Sequence, residues 1–145
     1  MAIGASRIQT LRVAHPLDPA LDQDNPAFSW DEYFRTGDVK HLPMKDGFRP
    51  TWFTVKRLTP AQFRHVMTQG SNFDRAFEAV CYGLTGIDNF TGPDGSQVVV
   101  KTKKSEVGPR LTDDTIEAIF SVDVINVLGI RILTMSNLDP TLAQG

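Results

Sequence analysis

Only one cysteine, Cys81, occurs in 145 residues, so no disulfide can form within the chain. Histidine is scarce too. His15, His41 and His65 stand in no HxH or HxxxH spacing. A zinc site takes three or four converging ligands, so no metal is expected. GxxxxGK(S/T), GxGxxG, GxSxG and HExxH are all missing. The chain therefore carries no local signature of a phosphate-cradling loop, a dinucleotide site, a nucleophile elbow or a metalloprotease helix. No cofactor and no enzymatic activity are expected. There is no basic excess either. The formal net charge is −2 and the isoelectric point is about 5.9. Nucleic-acid binding by phosphate neutralisation is accordingly not expected.

Long uninterrupted apolar runs are also lacking. The longest, residues 116–135, contains Glu117, Asp123, Asn126 and Arg131. Such groups are costly in a bilayer core, so no membrane span is expected. The first five residues, MAIGA, have no basic flank, and no secretory signal is expected. Asp18, Asp22 and Asp24, with Asp31 and Glu32, lack the glycine and terminal glutamate of a calcium-binding EF-hand loop. They read as a solvated loop.

What remains is an ordinary globular composition, 41% hydrophobic and 22% charged, of one-domain length. Five of the nine prolines (Pro16, Pro19, Pro26, Pro43, Pro50) lie in the first fifty residues. Proline removes a backbone donor and pushes the preceding residue to extended geometry. Residues 1–50 thus read as an extended arm with a short helix, and residues 51–145 as an α+β core domain. The fold class expected is a small single α+β domain with a few short strands and three to four helices. On this division, a chain without residues 1–28 would keep its fold.

Local signals place the elements. Residues 7–15 alternate, with Gln9, Leu11 and Val13 on one side. Residues 51–58 (TWFTVKRL) have the aromatic and β-branched content of a strand. Ser29 with Glu32, and Thr59 with Gln62, are capping boxes. Pro60 sits at a first helical position and Gly37 at a left-handed stop. Phe63, Val66 and Met67 form the stripe of the helix after Pro60. Ser71 caps a second helix, whose apolar stripe is Phe73, Ala76, Phe77, Val80, Cys81 and Leu84. Residues 97–101 (QVVVK) read as a strand paired across an Asp94-Gly95 turn with residues 87–90. Thr112 starts the last helical stretch, expected to break near Ser121–Asp123 with Asp123 as cap. Beyond Ile116 apolar residues surround the helical wheel, so that helix is buried within the chain or between chains.

Several side chains bear on function. Cys81 lies on an apolar stripe, where a thiol is a small core group rather than a nucleophile. Lys101, Lys103, Lys104 and Arg110 form one basic cluster, and Lys56, Arg57 and Arg64 another. Neither is interleaved with base-stacking aromatics. Residues 111–145 hold five acidic residues and one basic residue, Arg131. The aromatics Trp30, Tyr33, Phe34, Trp52 and Phe53 crowd short elements, where those left uncovered would anchor a partner. In the last helix, Ile125, Leu128 and Ile132 are the matching candidates.

The strand TWFTVKRL with Thr59-Pro60 and a helix precedes residues 79–88 (AVCYGLTGID) and the Asp94-Gly95 turn. Residues 111–114 (LTDD) then lead to residues 127–136 (VLGIRILTMS). This order, over about residues 50–138, resembles small proteins of the head–tail morphogenesis modules of tailed bacteriophages. The resemblance implies a non-enzymatic virion protein of the capsid, neck or tail. It would be multicopy or homo-oligomeric, bound to other phage structural proteins, and assembled in the host cytoplasm. A tail assembly chaperone, acting transiently on tail proteins through the apolar C-terminal helix, is the alternative the resemblance implies. Residues 1–50 share no pattern with that group.

Overall fold

The structure, a computed structural model, describes residues 9–119 and 121–136. They form a small α+β domain. In chain order its elements are β1 (Thr10–Val13), α1 (Trp30–Thr36), a 3-10 turn (Val39–His41), β2 (Trp52–Lys56), α2 (Pro60–Met67) and α3 (Asn72–Gly83). Then follow β3 (Leu84–Asp88), β4 (Thr102–Lys103), β5 (Arg110–Leu111), α4 (Asp113–Ile119) and α5 (Val122–Ser136). Among the described residues there are thus five α-helices, one more than the upper expectation.

β1, β2 and β3 make an antiparallel sheet with β2 in the centre. The register pairs Leu11 with Val55 and Val13 with Phe53. Because side chains alternate along a strand, these four share one face. That face is buried, and the main core fills the space between it and α3 and α5 with Val80, Leu84, Leu128 and Ile132. Trp52, on the opposite face, is covered by the Arg12 guanidinium 4.8 Å from its ring centre. β4 and β5 form a separate two-stranded ladder.

The helix starts follow local chemistry. Ser29 Oγ accepts the Glu32 amide, and Gly37 ends α1 at φ 72°. Thr59 and Gln62 form the full reciprocal box, at 3.2 and 3.0 Å. Ser71 accepts from Asp74, and Thr112 from Thr115. The last stretch does break where expected, but the cap is Ser121, whose hydroxyl accepts the Val124 amide at 3.2 Å. Asp123 lies inside α5 and binds His15 instead.

Three expectations change. Residues 97–101 are not a strand. Gln97 makes one isolated bridge to Thr91, and Val98 donates to the Phe90 carbonyl, while the regular pairing starts only at Thr102. Of the partner expected for that segment, residues 87–90, only Phe90 meets it, while Ile87 and Asp88 belong to β3 at the edge of the main sheet. The division at residue 50 is not a division of packing. Leu11, Val13, Ala14, Leu21, Tyr33 and Leu42 all belong to the same core as the residues beyond it. The prolines set the irregular path of residues 14–29, but the apolar side chains between them are drawn onto the sheet and its helices by burial.

α3 and α5 pack closest at Gly129. A Cβ there would lie 2.5 Å from both the Cα and the carbonyl oxygen of Ala76. Among the described residues no single helix is long and apolar enough to cross a membrane.

Candidate functional site

The eight residues expected at a partner surface separate cleanly. Tyr33, Trp52, Phe53, Ile125, Leu128 and Ile132 are buried in the chain's own core. The apolar wheel of the last helix is thus largely satisfied within one chain. Trp30 and Phe34 are not. They are half-buried, stacked on each other with ring centres 5.4 Å apart, and they form one wall of an open groove of about 430 Å³.

That groove runs between α1 and α5. Ala14, Val13 and Pro16 lie along it at the end of β1, and Val127, Ile130, Arg131 and Thr134 form the α5 wall. Residues 122, 126, 130 and 134 recur at a spacing of four on the outer face of α5, and Ile130 is 60% exposed. Tyr33, one turn into α1, donates its hydroxyl to the Arg12 carbonyl and so fixes the helix against β1. Burial raises the pKa of that phenol.

Arg131 is the polar exception in this wall. Its guanidinium lies 4.0 Å from the centre of the Phe34 ring. Its Nε is withdrawn from water and has no hydrogen-bond partner, and burial lowers its pKa. The Thr134 hydroxyl is already taken, donating to the Ile130 carbonyl at 2.8 Å. Sequence reasoning did not place this residue at a partner surface. The available signal was its isolation as the one cation among the last thirty-five residues.

Two polar clusters lie elsewhere. On α3, Glu78 accepts from Arg110 at 3.3 Å, and its second oxygen stands 3.5 Å from Nε2 of His65. Arg110 also reaches Asp113 at 3.7 Å. This network ties α2, α3 and β5 together. It holds part of the Lys101–Arg110 basic cluster in ion pairs, Lys103 with Asp113 included. Cys81 is nearby, but it is 2% exposed and burial pushes its pKa up to about 12. A neutral, inaccessible thiol is not a nucleophile.

The second cluster is His15 with Asp123. Nδ1 of His15 accepts the Leu17 amide at 3.0 Å, which leaves Nε2 to carry the proton toward Asp123, 2.6 Å away. Both ring nitrogens are engaged, so the pair acts as a tie between the end of β1 and the first turn of α5. No group of three or more metal-ligating side chains converges among the described residues.

The thiol gives a direct check. Its folded pKa is raised, so its contribution to stability is complete below the unfolded value of about 8.5 and declines as pH rises toward 12. Urea unfolding from pH 8 to 11 is expected to show a loss approaching about 1.4 kcal/mol per pH unit from this group. The Cys81→Ala variant will lack that part of the slope. A disulfide reagent at pH 8 is expected to label Cys81 in urea but not in the native protein.

Compared with family models, with curated proteins and with solved structures, the chain matches none.

Proposed function

We propose that this protein is a non-enzymatic structural component of a tailed-phage virion that seats a neighbouring subunit in the groove between α1 and α5. The observation that carries the docking part is the groove itself. It is an open, largely apolar cleft with two stacked aromatics on one side and an exposed Ile130 on the other. Large exposed apolar features rimmed by polar residues are characteristic of interaction surfaces, and aromatic anchors supply most of the energy at such surfaces. The phage setting rests on the resemblance of residues 50–138. A multicopy or homo-oligomeric arrangement, with other phage structural proteins as neighbours, belongs to the same reading.

The test is mass spectrometry of purified particles with copy number, for the natural chain and for Ile130→Lys. The exposed site tolerates lysine without loss of fold, to be verified by circular dichroism. Lysine there removes the apolar wall that Ile130 offers and adds a charge that the occupant's apolar side chains would have to desolvate. Dozens of copies per particle are expected for the natural chain, with at least a tenfold loss for the variant. Normal incorporation of Ile130→Lys would remove the groove from the reading. Absence of the natural chain from particles, with presence in the lysate, would replace the virion role with a transient assembly chaperone that uses the same α5 wall.

A further inference from the structure

We infer that the segment seated in the groove between α1 and α5 is a peptide stretch whose apolar side chains flank an Asp or Glu carboxylate, which pairs with Arg131. This rests on the docking role proposed above and specifies its partner.

Three other arginines are partly withdrawn from water. Arg57 donates to the Ser136 carbonyl at 3.3 Å, Arg75 to the Gln69 carbonyl at 3.2 Å, and Arg110 to Glu78 at 3.3 Å. Each finds an oxygen. Arg131 is also partly withdrawn from water, yet its Nε has none, and no carboxylate among the described residues pairs with it. A buried donor left unsatisfied is destabilising, and a charged one more so.

The position of the guanidinium explains what it is suited to meet. Phe34 covers one face at 4.0 Å. The N–H donors lie in the guanidinium plane, and the two Nη groups, unlike the enclosed Nε, are the ones open to an oxygen arriving in the groove. A carboxylate matches the edge they form with two parallel hydrogen bonds. Of the other lining side chains only Trp30, through its indole N–H donor, and Thr134, whose hydroxyl proton is given to the Ile130 carbonyl, carry a polar atom; the rest offer carbon. The groove therefore asks for an apolar body with a single anionic acceptor. A purely apolar segment would cover Arg131 and worsen its desolvation. A basic segment would be repelled.

The test is selection of a random dodecapeptide library on the purified full chain, followed by fluorescence anisotropy with the selected peptides. The expected peptides carry Asp or Glu within four positions of two large apolar residues. Replacing that acid by its amide is expected to weaken binding to the natural chain about tenfold. Against Arg131→Met, which keeps the apolar stem and whose fold is verified by circular dichroism, the acid and amide peptides will bind alike. That cycle isolates the pair from general loss of affinity. Peptides that lose binding to Ile130→Lys but show no preference for the acid would overturn this inference and leave the groove as the docking site. Peptides indifferent to both substitutions, or no enrichment over bare support, would overturn both.

Discussion

A chain that begins at residue 29 will not fold cooperatively. Removing residues 1–28 takes away β1, and with it Leu11, Val13, Ala14, Ala20 and Leu21, all buried. Fully burying one Leu or Val stabilises a protein by about 1.5–3 kcal/mol. The three larger side chains alone thus approach the roughly 5–15 kcal/mol of a whole domain. The truncation also strips β2 of one of its two partners and exposes the face formed by Phe53 and Val55. Circular dichroism and urea titration of the truncated chain are expected to show no cooperative transition. A sharp transition with native-like amplitude would mean that residues 1–28 lie on the core without sustaining it.

Gly129→Ala will be severely destabilising, because its Cβ runs into the backbone of α3. Alanine is favoured over glycine in a helix by about 1 kcal/mol, so intrinsic preference predicts a gain. The packing reverses it. The new Cβ would stand 2.5–2.6 Å from Ala76 Cα, carbonyl oxygen and Cβ, and the first two are backbone. The helices must separate, and every contact between α3 and α5 loosens with them. A loss of at least about 3 kcal/mol in urea unfolding is expected. Ala76→Gly will not restore it, because the backbone atoms remain. Gly83→Ala supplies the contrast. The three atoms nearest its Cβ all belong to the Ile132 side chain, at 2.6–3.0 Å, and none is backbone. Two of those atoms are the Cγ branches of a buried β-branched side chain with little χ1 freedom, so a cost of about 1–3 kcal/mol is expected, and Ile132→Val, which removes only Cδ1, will offset little of it. Equal losses at Gly129 and Gly83 would show that α3 and α5 are less rigidly held than this spacing implies.

The sequence was most legible where the determining interactions are local. The Thr59–Gln62 box and the Gly37 stop involve residues within a few positions of one another, and the structure reproduces both. Legibility failed where the decision belongs to a distant partner. Residues 97–101 have strand-like side chains but make only a bridge from Gln97 to Thr91 and single backbone bonds at Val98 and Lys101. Residues 84–88 contain a glycine and follow a helix without a break, yet β2 recruits them. The same holds for burial. Phe73 keeps the helical spacing of the α3 stripe but is 37% exposed, whereas Ala79 and Tyr82, outside that stripe, are buried. Trp30, Tyr33 and Phe34 share one turn of helix. Only their placement against β1 and α5 decides that Tyr33 is internal and the other two form a wall.

Both walls of the groove are fastened to one short piece of chain. The Arg12 carbonyl holds α1 through Tyr33, and His15, three residues on, holds α5 through Asp123. Any movement of this piece carries the two helices with it, so the width between them is set before anything arrives. Such a preorganised socket loses little conformational entropy on binding. On the docking role proposed above, the capture step would be one of docking rather than rearrangement, at the about 10⁵–10⁷ M⁻¹s⁻¹ typical of rigid partners. Differences among the segments it accepts will then lie in how long they stay.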